Sequence, residues 1–182
     1  MPTIFTHAAV GLAAARSVYP ERTTARLLVS AATLSMLPDA DVLPLALGAR
    51  GDWYETHRGF SHSLLFALGA GLVATLLLFP EARARFPPSG WRLWLFLSAV
   101  TASHGILDAF TDGGLGIEFL WPFSANRYFF PWTPIRVAPI AITEFFGKWG
   151  IRVLKSEAVW VWFPAGAAVA ALEVLRRRRK AA

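Results

Sequence analysis

Residues 63–79 read SLLFALGAGLVATLLLF, a run without a single charged residue. With Phe60 to His62 ahead of it, this run approaches the ~20 apolar residues that a membrane-spanning helix requires. A helix of this composition has no polar face to turn towards water, because apolar side chains surround it. The segment therefore favours a helical membrane protein.

Four further segments are apolar enough to be membrane spans or buried helices: 3–19, 26–38, 93–110 and 158–175. Of the 182 residues, 55% are hydrophobic and 16% are charged, with a mean hydropathy of +0.45. An average soluble domain has about 25% charged residues. We expect an all-α, polytopic membrane protein with about five membrane helices in one domain, residues 1–182. An unusually apolar soluble bundle is the alternative.

The basic residues predict how these helices are oriented. The loops at 16–26 and 83–92 and the C-terminal tail contain eleven of the eighteen Lys and Arg residues. Lys and Arg collect on the cytoplasmic side of membrane proteins, so all three segments are predicted to face the cytoplasm and the N-terminus to lie outside. No basic face with interleaved aromatic residues is present, and we expect no nucleic-acid partner.

The chain between the fourth and fifth helices has a different character. Trp121-Pro122-Phe123 and residues 128–132, YFFPW, predict an irregular segment at the outer interface, where Trp and Tyr are favoured. Residues 140–155, IAITEFFGKWGIRVLK, are amphipathic and predict a helix lying in the interface.

The histidines and several carboxylates fall at one predicted face. His7, His57, His62 and His104 all lie at outer ends of the predicted helices. Asp39 and Asp41 follow the second helix, and Asp108 lies one turn beyond His104. The topology was derived from arginines, so this convergence is independent evidence for a common site. Ionisable groups in membrane segments are costly and mark function by default.

These residue types suit a metal centre. His104 and Asp108 share a helix face at i, i+4 spacing and can grip one ion, or Asp108 can orient the imidazole. The chain has no cysteine, which excludes thiolate ligands. Imidazole and carboxylate donors suit zinc, manganese or iron in a two-metal site. Taken singly, Asp39 and Asp41 would also suit a turn at a helix end.

Three further residues lie near these candidate ligands in the sequence, and their roles are considered separately. Arg58 would hold an anionic substrate oxygen or form a salt bridge with Asp39 or Asp41. Asp112 is either a further ligand or a turn residue. Ser61 is expected to cap a helix.

The motifs together resemble a known family. They are Thr6-His7, Leu37-Pro38-Asp39-Ala40-Asp41, His57-Arg58-Gly59-Phe60-Ser61-His62-Ser63, His104-Gly105-Ile106-Leu107-Asp108 and Trp121-Pro122-Phe123-Ser124. From residue 6 to about residue 127 the chain resembles the YdjM-type family of bacterial inner-membrane metal-dependent hydrolases. That resemblance implies an inner-membrane, metal-dependent hydrolase, whereas the multi-pass topology, the cytoplasmic C-terminus and the site on the periplasmic or outer side are expected from the apolar segments and the basic residues.

A more distant similarity, to zinc-dependent phospholipase C and single-strand nucleases, implies the metal ligands. The ligands expected from both lines of reasoning are His7, Asp39, His57, His62, His104 and Asp108. The chain has too few histidines for a three-zinc set, so we expect two divalent ions, zinc foremost, with manganese or iron as alternatives.

The expected reaction is metal-assisted hydrolysis. Asp41 would act as general base if it is not itself a ligand, and Arg58 would stabilise developing negative charge. A site at the outer face beneath aromatic residues predicts a lipid or lipid-linked phosphoester as substrate. The alternatives are a metal-ion or proton carrier using the same cluster, a haem-binding protein with histidine axial ligands, and a purely structural membrane protein.

Overall fold

Helices form all the regular secondary structure in the described residues of this computed structural model, which are 1–43, 57–85, 90–139 and 142–181. The α-helices are α1 (Ile4–Val18), α2 (Ala25–Met36), α3 (Leu64–Leu78), α4 (Pro80–Arg83), α5 (Gly90–Ala109), α6 (Ile142–Phe145) and α7 (Lys148–Ala181). Short 3₁₀ turns cover Pro20–Arg22, Leu37–Val42 and Phe60–His62. Pairing between extended segments is limited, in these residues, to two isolated bridges. The all-α prediction is confirmed.

Hydroxyl side chains set where two of the helices begin. Thr24 precedes α2 and accepts a hydrogen bond from the Leu27 amide. Ser63 precedes α3 and accepts one from the Phe66 amide. Both satisfy an amide that has no partner within its own helix. The expectation that Ser61 caps a helix is therefore wrong, because Ser63 occupies that position.

The long helices pack closely because small residues face one another. α1 packs on α2, α2 on α5, and α3 on α5, while α7 lies along α1. A Cβ added at Gly11 would lie 2.5 Å from the Ala31 carbonyl oxygen, and one at Gly71 would lie 2.6 Å from the Ser98 amide nitrogen. Such close approach is typical of helices in membranes, where dispersion contacts replace the hydrophobic effect.

The basic segments meet at one end of the bundle. Lys180, near the end of α7, pairs with Glu21 at 2.6 Å, and Arg16 pairs with Glu173 at 2.8 Å. Arg26 of α2 pairs with Glu81 of α4 at the same end. The alternating direction of α1, α2, α3 and α5 places the histidine-bearing ends opposite, as the sequence predicts.

One described helix is long and apolar enough to cross a membrane alone. α7 has 34 residues, and only 6% of the most apolar 18-residue stretch of this helix is buried inside the protein. α1 and α3 are apolar but shorter, with 15 residues each.

The predicted interfacial helix at 140–155 is not a separate element. Residues 140–141 lie outside the described residues, Ile142–Phe145 form a single turn, and the amphipathic stretch from Lys148 continues through a π-helical turn at Ala158–Trp162 into the rest of α7. The preceding region, 110–139, is irregular as predicted.

Two glycines on α3 test this packing. Gly71→Ala should lower the free energy of unfolding by about 1–3 kcal/mol, because the new methyl group meets the backbone of α5. Gly69→Ala is the matched control, since no atom lies within 4 Å of the added Cβ. Thermal unfolding in detergent measures both. Equal midpoints for the two variants would contradict the packing.

Candidate metal centre

Three helix ends deliver imidazoles and carboxylates to one buried point. Asp39 lies in the 3₁₀ turn after α2, His62 in the turn before α3, and His104 and Asp108 in the last turns of α5. One ligand atom from each of these four residues lies within 4.8 Å of the others. All four side chains are buried. We call Asp39, His62, His104 and Asp108 the inner group.

The two histidines of the inner group face each other through their Nε2 atoms, which are 3.1 Å apart. His104 Nδ1 is 2.7 Å from the carbonyl oxygen of Ser35, which can only accept, so Nδ1 carries the proton and Nε2 is left with a lone pair. His62 Nδ1 likewise donates to Ser61 Oγ at 3.0 Å, because that hydroxyl gives its own proton to Asp41 Oδ2 at 2.6 Å. Two lone pairs at this separation repel unless a cation or a proton lies between them.

No hydrogen-bond donor among the described residues satisfies the carboxylates of the inner group. Both oxygens of Asp39 and both oxygens of Asp108 are buried, and they have no hydrogen-bond partner among the described residues. Each unsatisfied buried polar group costs about 1–3 kcal/mol, and more when it is charged. Their nearest cationic or imidazole atoms are His104 Nε2, 3.2 Å from Asp39, and Arg58 Nε, 3.1 Å from Asp108. This donor set fits a divalent cation, which would satisfy the carboxylates and both Nε2 atoms together.

His7 lies beside the inner group and outside its tightest set. Its ring stacks on that of His104 with centroids 3.7 Å apart, and its Nε2 is 3.4 Å from Asp108 Oδ1. Neither ring nitrogen has a hydrogen-bond partner among the described residues. The structure thus places His7, a predicted ligand, beside the inner group, where it faces an Asp108 oxygen that has no hydrogen-bond partner among the described residues.

A second set of donors, the outer group, consists of Asp41, His57 and His62. His57 Nδ1 donates to Asp41 Oδ1 at 2.7 Å. Burial raises the pKa of Asp41, but the hydrogen bond and charge of His57, with smaller contributions from His62 and Ser61, outweigh burial and leave this pKa below its usual value. Asp41 thus stays ionised, and its side chain is 20% exposed, which makes it the most accessible carboxylate of the site.

Arg58 does not form the salt bridge with Asp39 or Asp41 that was one of its two expected roles. It has a positive φ of 65°, is almost completely buried, and directs Nε to Asp108 Oδ2 at 3.1 Å instead of to Asp39 or Asp41. Its remaining nitrogens donate to the Gly113 carbonyl at 3.0 Å and to Thr111 Oγ1 at 3.3 Å. The guanidinium therefore fixes Asp108 through the same oxygen that His62 Nε2 approaches to 3.7 Å.

Asp112 belongs to neither the inner group nor the outer group of possible ligands. It forms an ion pair with Arg136 and accepts a hydrogen bond from the Val137 amide at 2.9 Å. Of the two roles that the sequence allowed, the structure supports the turn residue.

Sequence reasoning missed a buried carboxylate behind His7. Glu157 of α7 accepts hydrogen bonds from the Thr3 amide and from the hydroxyls of Thr3 and Thr6, each hydroxyl at 2.7 Å. Trp162 Nε1 donates to Thr6 Oγ1 at 2.7 Å. The network ties α7 to the first turn of α1, which carries His7. The i, i+3 spacing of Thr3 and Thr6 is the one signal of it in the sequence.

The fold and the site define a helical membrane protein with a buried His/Asp centre. A family model described as "YdjM inner membrane protein" matches residues 1–180, and the chain belongs to this family. It is 42% identical over 164 residues to "Inner membrane protein YbcI" of Escherichia coli (strain K12), covering 90% of this chain and 92% of that protein. No solved structure matches the chain. These names support the predicted inner-membrane location and state no reaction.

Glu157→Gln tests the network behind His7. Losing the charged acceptor should lower the free energy of unfolding by about 1.5–3 kcal/mol, because the Thr3 and Thr6 donors then face an amide. Glu173→Gln on the same helix is the control: its partly exposed pair with Arg16 contributes at most about 1 kcal/mol. Thermal unfolding in detergent reports both, and a Glu157 variant as stable as the control would contradict the assigned contacts.

Proposed function

We propose that this protein is a membrane-embedded, metal-dependent hydrolase that acts on the phosphoester of a lipid or lipid-linked substrate. The observation that carries the proposal is the inner group, in which two facing imidazole lone pairs lie between two carboxylates without donors. The family resemblance described above adds the hydrolytic chemistry.

Zinc is the proposed ion, with manganese and iron as alternatives, because two imidazoles and two carboxylates match their preferences. The inner group would hold the first ion. The outer group would hold a second one more weakly, because His62 Nδ1 carries a proton that it donates to Ser61, which leaves Asp41 and His57 as ligands. His7 would join the first ion or hold Asp108 in place.

In the proposed reaction the chain's own residues position the substrate and move protons. A divalent ion in such a site supplies a Lewis acid and makes a water acidic near neutral pH. Asp41, ionised and partly exposed, is placed to accept a proton, and His57 and Ser61 hold its two oxygens in position. Arg58 holds Asp108 in place through the contact of its Nε with Oδ2. A cavity of about 170 Å³ lies beside His57 and Arg58.

For the membrane arrangement we propose five spans, with the metal centre at the periplasmic side and the C-terminus in the cytoplasm. Large apolar side chains point outward along the shorter helices as well as along α7, including Phe5 at 65% and Leu77 at 71% exposure. α1 is about 22 Å long, less than the hydrocarbon core, so the aromatic segment at 117–132 would complete the outer interface. The basic end would face the cytoplasm.

A carrier using the same cluster is the less favoured alternative. Transport would require polar groups leading from the cluster to the basic end. The buried ionisable side chains of the described residues are instead gathered around the His/Asp end: His7, Asp39, His57, Arg58, His62, His104, Asp108 and Glu157. In the described residues the core beyond them has no buried ionisable side chain: it combines apolar residues such as Leu27, Leu97 and Val100 with the hydroxyls of Ser30, Thr75, Ser98 and Thr101.

Metal content tests the site. The wild-type protein, loaded with zinc and analysed by plasma mass spectrometry, should hold two equivalents, one of which survives mild chelation. His57→Ala should remove only the labile equivalent, whereas His104→Ala and Asp39→Ala should remove the retained one. No zinc, manganese or iron above background after reconstitution would overturn the proposal.

Hydrolysis is tested separately from binding. Zinc-loaded protein in mixed lipid–detergent micelles should release nitrophenolate from 4-nitrophenyl phosphate or bis(4-nitrophenyl) phosphate. Asp41→Asn should lower kcat by about 100-fold or more, as loss of a general base does, while retaining the inner ion. Stoichiometric zinc with no ester hydrolysis, together with zinc uptake into proteoliposomes, would reject the hydrolase and support the carrier.

A further inference from the structure

A second polar feature lies at the end of the bundle opposite the metal centre. A cavity of about 360 Å³ opens between the end of α1, the start of α2, α4 and the start of α5. Four arginines line it: Arg22, Arg26, Arg85 and Arg92. We call it the arginine cavity. It is large enough for a small ligand, since ligand sites range from about 300 to 1,000 Å³.

The charge in the arginine cavity is not balanced by the protein. Glu81, the acidic residue among the described lining residues, is already paired with Arg26. In the described parts of the chain, Arg22, Arg85 and Arg92 form no ion pair with a carboxylate. Gathering like charges around one cavity costs electrostatic energy, and an anion within the cavity would recover it.

The remaining lining residues complete an amphipathic site. Tyr19 and Thr24 add hydroxyl groups, whereas Leu27, Phe79 and Leu93 form an apolar floor. Arg26 lies 4.9 Å from the centre of the Phe79 ring, which limits where its guanidinium can point. Guanidinium groups bind phosphate oxygens in a bidentate manner, so convergent arginines over an apolar floor match a phosphate attached to an apolar group.

We propose that the arginine cavity binds the phosphate group of an anionic phospholipid headgroup. All four arginines are exposed at this end of the bundle, so a headgroup can reach them from the surface. Basic pockets between membrane helices on the cytoplasmic side are a known way to hold anionic headgroups. The site is independent of the hydrolase proposal, because it lies at the other end of the bundle.

The experiment is native mass spectrometry of the full chain released from detergent micelles that contain either phosphatidylglycerol or phosphatidylcholine. The wild type should retain phosphatidylglycerol in preference to phosphatidylcholine. Arg22→Gln with Arg85→Gln should weaken that retention by about tenfold or more, given the loss of two phosphate contacts. Arg178→Gln with Arg179→Gln removes the same charge from the tail outside the cavity and should leave retention unchanged.

Displacement by phosphate and comparison of the variants and the two lipids complete the test. Inorganic phosphate at millimolar concentration should displace phosphatidylglycerol from the wild type if the phosphate group is what the cavity recognises. Phosphate binding without lipid retention would reject the lipid source. Equal weakening by the cavity and tail variants, or equal retention of the two lipids, would overturn the proposal. Arg92→Gln repeats the test if the double cavity variant does not fold.

Discussion

The 3.1 Å approach of His62 Nε2 and His104 Nε2 is the constraint on which the rest of the structure depends. Ser35 and Ser61 bind the opposite ring nitrogens, which turns both lone pairs towards the same point. Asp39 and Asp108 supply negative charge there, without hydrogen-bond donors of their own in the described residues. Arg58 offsets part of the charge of Asp108, and a cation between the imidazoles and carboxylates would offset the rest, which is costly to leave unpaired in a buried site.

The helix packing makes this centre possible. α5 carries His104 and Asp108, and it lies against both α2 and α3, whose adjoining turns supply Asp39 and His62. Small residues such as Gly11 and Gly71 allow these helices to approach closely enough for the donors to meet. Arg58, in a left-handed backbone conformation, and Glu157, under the first turn of α1, hold the periphery of the centre in place.

The sequence predicted the helices and the convergence of the site because both depend on strong local signals. Apolar runs fix helices, arginine positions fix their direction, and direction determines which ends meet. The partner of Arg58 was not predictable, because Asp108 is 50 residues away and nothing local distinguishes it from Asp39 or Asp41. Ser61 and Ser63 are equivalent in the sequence, and only the geometry shows that Ser63 caps α3 while Ser61 orients His62. The change of composition near residue 155 predicted two separate helices, but a change of composition does not interrupt a helix, and the amphipathic stretch from Lys148 is the first part of α7.

The most direct test of the centre is X-ray absorption at the zinc K edge of the purified, zinc-loaded protein. The inner group predicts a first shell of nitrogen and oxygen ligands at about 2.0–2.2 Å, with multiple scattering from two imidazole rings in the tightly bound ion's spectrum. His104→Ala should remove one ring from that pattern or abolish the bound ion. A shell of oxygen atoms alone, unchanged in this variant, would show that the ion lies elsewhere and would contradict the assignment of His62 and His104 as its ligands.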